Sequence, residues 1–377
     1  MRLINMLKAG IPLGSFHGIP VRLHYSWLVI FALVTWGLSA NYFPIGYPHW
    51  SVTAYVAVGL ATSVLFFCSV LAHELAHSLV AQAAGIRVHS ITLFILGGLA
   101  QIAQEPGRPN VEFRVALAGP ATSLALGVLF GAISIAAAGV SEPLVAVSAW
   151  LGRINIVLAV FNLIPGFPMD GGRVLRSIIW WRTGSLRGAT RTASAIGRGV
   201  GYLFVFGGIW MIFGGNWGGL WIAFIGWFIQ SAAAGSYREV VLQDMLQGHR
   251  VSEVMMRDCP AVSPQLTLEE LVNDYILGSG RRCFPVVEGS RALGLVTLHN
   301  VKQAPRELWS TMTLGEAMTP LDKLKLVEPD QDLSTVLQLM TTEDVNQLPV
   351  VDEGKIVGMV ARENLLTFIH TRAELGM

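Results

Sequence analysis

The sequence predicts a polytopic α-helical membrane domain with a short membrane-associated β element, followed by a water-soluble α/β module made of two similar units. Three observations predict it. Charged residues make up 14% of the 377 and hydrophobic ones 53%, whereas soluble domains carry about 25% charged. The charge is also uneven: before Ser236 the acidic residues are Glu74, Glu105, Glu112, Glu142 and Asp170, and beyond it Asp and Glu are frequent. From Val251 onward the sequence repeats itself.

About six apolar stretches approach the roughly 20 helical residues a hydrocarbon core requires. They lie near Ser26–Tyr42, Val52–Gly85, Phe113–Gly139, Pro143–Ile164, Ile196–Phe213 and Gly219–Ala234. Before them, Gly10, Pro12, Gly14, Gly18 and Pro20 break the N-terminal segment, so a short hairpin at the membrane surface is expected, not a cleavable signal peptide. Basic residues alternate between loops. Arg2, Lys8 and Arg22, then Arg87, Arg108 and Arg114, then Arg173 to Arg198 mark one side, while loops 41–51, 140–142 and 214–218 have no Lys or Arg. The positive-inside rule then makes both termini cytoplasmic.

Between the second and third spans, Val88–Ile102 is β-branched and apolar, with Gly97 and Gly98 inside it. It reads either as one extended strand with a glycine kink or as a re-entrant packing segment. Cys68, Cys259 and Cys283 form no paired framework and are expected to be inert buried thiols. The net charge of +1 says nothing useful about nucleic-acid partners, and no nucleic acid is expected as a partner.

The repeat aligns Phe284-Pro-Val-Val-Glu and Gly294 with Leu348-Pro-Val-Val-Asp and Gly358. These units resemble CBS domains, two of which pack as a Bateman module. The expected boundaries are 1–235 for the membrane domain, 236–250 for a polar linker, and 251–306 and 312–372 for the CBS units. CBS pairs often bind adenine nucleotides through a late Asp; here Asn300 and Asn364 stand at that place, lacking the charge. Nucleotide binding and a dimerising or gating role both stay open.

His73-Glu-Leu-Ala-His77 is an H-E-x-x-H motif inside the second span. Residues four apart share a helix face, so both imidazoles can reach one metal with Glu74 beside it. An ionisable residue at that depth costs several kcal/mol and so calls for a function or a partner. Catalytic zinc takes three protein ligands. Asp170, the sole aspartate before Ser236, follows a helix broken by Pro165, Gly166 and Pro168, and broken helices at membrane depth face protein or a wet cavity. A polar network that only braces helices is the competing reading.

The two motifs together, His73-Glu-x-x-His77 and Asn162-x-x-Pro-x-x-Pro-x-Asp170-Gly-Gly-Arg173, resemble the site-2 protease family (peptidase M50), in particular its CBS-bearing branch. The resemblance extends to the Gly97-Gly98 segment and Ala118-Gly-Pro120. It implies one zinc ion held by His73, His77 and Asp170, with Glu74 as general base. It also implies Asn162 near the substrate or its oxyanion, although a turn Asn before Pro165 explains that residue equally well. A zinc endopeptidase cutting membrane-anchored proteins, such as a membrane-bound transcription factor or an anti-sigma factor, is the implied activity. The bilayer and a CBS homodimer are implied partners, and a bacterial or archaeal plasma membrane the implied location. An unwound substrate could add to the Ile91–Ile102 strand at Gly97 and Gly98. A transporter is disfavoured by the lack of an ionisable series or inverted repeat, and a silent binding protein by the presence of Glu74. Arg153 in the fourth span has no evident carboxylate partner. His24 and His49 at span ends, and Trp180-Trp181, read as interfacial.

Overall fold

The computed structural model describes residues 10–375 apart from 96, 103–105, 280, 282, 290, 344 and 354. Arg2, Lys8 and Glu105 of the charge pattern and Leu96 of the expected strand therefore lie outside the described residues. The chain forms two compact units, 1–240 and 241–377.

The first unit contains six helices long and apolar enough to cross a membrane. They are α1 (Ser26–Gly46), α2 (Val52–Ala83), α3 (Pro109–Ala136), α4 (Glu142–Asn162), α6 (Leu186–Phe213) and α7 (Gly219–Leu246). A shorter helix, α5 (Asp170–Thr183), lies between α4 and α6. Sequence reasoning passed over α5 because its apolar residues are interleaved with Arg173, Arg176 and Arg182, which hides it from a hydropathy window. The same effect hid the first turns of α6, capped by the Ser185 hydroxyl accepting from the Gly188 N–H at 3.1 Å. Helices α3 and α4 meet through glycines: a Cβ on Gly152 would lie 3.1 Å from the Gly131 nitrogen. Where lipid tails are as apolar as side chains, such close backbone approach is what drives helix association.

A four-stranded sheet, ordered β1-β2-β3-β4, packs beside this bundle: β1 (Gly10–Phe16), β2 (Ile19–His24), β3 (Val88–Phe94) and β4 (Gly97–Ile102). The β1–β2 turn uses His17 and Gly18, both at positive φ (48° and 79°), the requirement of a type I′ hairpin. Strand β2 pairs parallel with β3, and β3 antiparallel with β4. The stretch expected as a single kinked strand is thus a hairpin. Phe94 pairs with Gly97, and Gly97, at φ 132°, opens the return strand. Among the described residues β4 is an edge strand. An antiparallel ladder alternates bonded and non-bonded pairs. Counted from the turn closed by Phe94 and Gly97, Gly98 and Ala100 direct their backbone groups to the open edge.

In the second unit the repeat is visible in the register. Strands β5 (Cys283–Glu288) and β6 (Arg291–Thr297) pair Val286 with Gly294; β8 (Gln347–Asp352) and β9 (Lys355–Ala361) pair Val350 with Gly358. Each sheet is extended by the other repeat's leading segment, as a third strand in the first and as a single bridge in the second. β7 (Thr319–Pro320), which precedes the second repeat's strands, pairs with β6, while Met256, ahead of the first, exchanges two backbone hydrogen bonds with Met359 of β9. Gly294 and Gly358 must be glycine for this crossing, since a Cβ would strike the Thr319 and Met256 carbonyls. Packing follows the exchange: Val251 belongs to the second core with Leu333, Val336 and Met340, and Leu314 to the first with Leu268 and Phe284. Fully burying each such side chain contributes about 1.5–3 kcal/mol.

Much of the expected linker is helical, because α7 runs to Leu246. Leu242, Met245 and Leu246, at helical spacing, join the second core. None of the cysteines is fully buried, contrary to expectation: Cys68 is exposed on α2, and Cys259 and Cys283 are half-buried. Burial still pushes the Cys283 thiol up, which keeps it unreactive at neutral pH.

Asp332 caps the helix Leu333–Thr342, accepting from the Ser334 N–H at 2.8 Å, and also accepts from the Gly248 N–H at 2.8 Å. Burial works to raise its carboxyl, but these hydrogen bonds hold it below its ordinary value. A depressed acid contributes stability above its unfolded pKa and loses it as pH falls towards the folded one. Thermal melts should show Asp332→Ala costing ~1 kcal/mol at pH 7. That gap should narrow as pH drops below about 4; a gap constant with pH would contradict this.

Candidate metal centre

Helix α2 carries His73, Glu74 and His77; at about 1.5 Å per residue His73 sits about 15 Å from the helix's C-terminal end. Asp170 opens α5 after the loop 163–169. The structure brings the two imidazoles and the carboxylate to one point. His77 Nε2 lies 3.2 Å from His73 Nε2, and Asp170 Oδ2 lies 3.2 Å from His73 Nε2 and 3.1 Å from His77 Nε2. Both histidines are 5% exposed.

The opposite ring nitrogens are engaged. His77 Nδ1–H donates to the Val115 carbonyl at 2.6 Å, which leaves Nε2 as the lone-pair nitrogen of a neutral ring. His73 Nδ1 meets the Ser123 hydroxyl at 2.9 Å. Three lone-pair donors held this close in an apolar interior repel one another unless a cation lies among them. The spacing suits zinc: bonds of about 2.0–2.1 Å in a tetrahedron put ligand atoms about 3.3–3.4 Å apart. Histidine ligands typically donate their second N–H to a carbonyl or carboxylate. Among the described residues this is the group of His, Cys, Asp or Glu with a metal-binding arrangement.

Two glycines shape the surroundings. A Cβ on Gly119 of α3 would collide with the Nε2 atoms of both histidines, and one on Gly98 of β4 with the Glu74 side chain. The open-edged strand therefore lies directly against Glu74. Gly97 precedes it at the turn. Asn162 is half-buried at the last turn of α4. Arg153 donates from Nη1 to the Tyr42 hydroxyl at 3.4 Å. His24 Nδ1 meets the Ser26 hydroxyl at 2.7 Å, and His49, with Trp50, holds Glu142 at 2.7 Å, so neither histidine is near the cluster of three. In the second unit the Asn300 carbonyl accepts from the Thr297 N–H and Asn364 from the Ala361 N–H, so both cap helices.

Sequence reasoning missed the contribution of α3. Val115, Gly119 and Ser123, four residues apart on one face, all touch the histidines. The signal was a run of small residues, Ala118-Gly-Pro120 to Ser123, in an otherwise bulky span. The ion pair between Glu112 of α3 and Arg176 of α5 was also missed, although Glu112 was visible as one of five acids in the membrane domain.

Comparison with known proteins identifies the family. The model of peptidase family M50 matches residues 61–144 and 131–208, and that of the CBS domain 251–307 and 314–371. The chain is 35% identical to Rip3 of Mycobacterium tuberculosis, over 96% of this chain and 93% of Rip3. It is 36% identical to sll0528 of Synechocystis over 98% of each. The names of both propose a zinc metalloprotease. A solved structure, the site-2 protease from Methanocaldococcus jannaschii, is 28% identical with a TM-score of 0.43, covering 61% of this chain and 95% of that one. The chain belongs to peptidase family M50, the site-2 proteases, and it is a membrane protein of this zinc metalloprotease family that carries a CBS pair.

Gly119→Ala puts a methyl group where the two Nε2 atoms meet. Zinc content of the purified protein, expected near one ion per chain in wild type, should fall below about a tenth of that, given that a typical Cβ needs more than 3 Å. Full occupancy in the variant would show that the ligands are not held as described.

Proposed function

We propose that the chain is a zinc-dependent intramembrane endopeptidase that hydrolyses peptide bonds in or near transmembrane segments of membrane-anchored proteins. The observation that carries this reading is the convergence of His73, His77 and Asp170 beside a carboxylate, Glu74, that packs against an open strand edge. His73, His77 and Asp170 would hold zinc, which when bound acidifies a water and polarises a carbonyl. Glu74 accepts the proton of the attacking water and delivers it to the leaving amine. Val115 and Ser123 hold the imidazoles in orientation, and Asn162 is suited to donate a hydrogen bond to the developing oxyanion.

A peptide bond inside a helix is shielded by its own hydrogen bonds, so the substrate unwinds before cleavage. The open edge of β4 receives the unwound segment by strand addition, with Gly97 and Gly98 allowing close approach to Glu74. The alternation of basic loops supports cytoplasmic termini in a bacterial or archaeal plasma membrane. On that reading, cleavage releases a cytoplasmic regulator such as a membrane-bound transcription factor or anti-sigma factor. The CBS pair serves regulation or homodimerisation. Adenine nucleotide is the weaker assignment, since the Asn300 and Asn364 side chains are spent on helix caps.

The deciding experiment is cleavage of a tagged single-span substrate by purified protein, comparing wild type with Glu74→Gln at matched zinc occupancy. The variant should lose about 10²–10⁴-fold in rate, the range of general-base contributions; equal rates would refute the role of Glu74. In a proline scan of β4, Ala100→Pro removes an outward N–H without touching the β3 ladder. It should slow cleavage by about tenfold, one hydrogen bond's worth, with zinc retained. Unchanged cleavage at every β4 position would remove the strand-addition step.

A further inference from the structure

Helix α3 contributes no ligand, yet it touches both histidines through Val115, Gly119 and Ser123. The third ligand has a link to the same helix. Glu112, one turn before Val115, is fully buried, and its Oε1 accepts from Arg176 Nε at 2.6 Å and from Arg176 Nη2. Arg173 Nε lies 4.0 Å from the same oxygen. The Arg176 guanidinium also stacks over the Phe167 ring, 5.1 Å from its centroid. Phe167 lies three residues before Asp170 and Arg176 six after it, so one guanidinium grips the chain on both sides of the ligand.

We propose that Glu112 and Arg176 are a positioning pair that sets Asp170 against the two histidines and thereby tunes zinc affinity. A buried ion pair is a poor source of net stability, because desolvation offsets the attraction. What it does supply is geometry, since the planar fork of arginine fixes direction as well as distance. Packing around the ligand leaves little slack otherwise: a Cβ on Gly171 would strike the Leu163 and Ile164 carbonyls, and one on Gly172 the Gly166–Phe167 backbone. The Phe167 N–H donates to the Ala193 carbonyl at 3.2 Å. The loop is thus anchored on the α6 side by that bond and on the α3 side by Arg176. Asp170 lies between the anchors.

This inference rests on the zinc reading above, and its test separates the two. Full-length protein in detergent is titrated with zinc against a competing chelator, the visible spectrum of the cobalt-loaded form is recorded, and melting is followed in parallel. Glu112→Gln and Arg176→Lys should each weaken zinc binding by about 10–100-fold, the usual cost of losing a partner behind a ligand. The cobalt bands should shift as well. The exposed Arg182→Gln, on the same helix, should change neither. Arg176→Lys keeps the charge balance, so it remains informative if Glu112→Gln fails to fold. Unaltered zinc affinity and cobalt spectrum in a folded Arg176→Lys would overturn the pair's role. Wild-type protein that binds no zinc would overturn the zinc reading and this inference together.

Discussion

Two imidazoles and a carboxylate turned towards one point inside an apolar bundle constrain the rest of the membrane unit. In water such groups would be solvated and free to turn apart. Here solvation is largely withdrawn, so each one needs a protein partner on its far side, and α3 provides most of these. Its small residues serve two ends at once: Gly119 makes room for the imidazoles, and Gly127 and Gly131 let α4 come close. A helix built of large apolar side chains would pack the bundle and leave no space for the site.

The second constraint is access. The candidate base, Glu74, is half-buried and lies against a strand whose residue at the contact lacks a side chain. A peptide chain entering there meets backbone groups first. Such a surface would read main-chain geometry more than side-chain identity, as the proposed strand addition of an unwound segment requires.

The membrane spans and the ligand pattern were legible in the sequence because they depend on local periodicity. Apolar runs of helical length mark spans, four-residue spacing marks one face, and proline and glycine mark the break before Asp170. The CBS pair was legible through its repeat. What stayed hidden depends on contacts far apart in sequence. The pairing of Glu112 with Arg176 spans 64 residues, and nothing in the local pattern of either helix announces it. The β3–β4 hairpin reads as one strand in the sequence because the residues before Gly97 are apolar and β-branched and carry no usual turn chemistry; in the structure the positive φ of Gly97 marks the start of the return strand. Leu242, Met245 and Leu246 were read as linker because polar neighbours diluted a spacing of three and four.

The exchange of leading strands between the two CBS repeats has a consequence for how the chain comes off the ribosome. Val251 and Met256 emerge early, yet their neighbours in the second core and on β9 are made about a hundred residues later. The first repeat has its own delay, since it waits for Leu314 and Thr319. Neither half can close while the other is missing. The pair therefore completes as one late event dominated by long-range contacts, a slow class of folding step. Until then Met256 and its neighbours have no strand to pair with. A chain arrested between the repeats would carry unpaired strand edges and open apolar cores, the features that mark a nascent protein for chaperones.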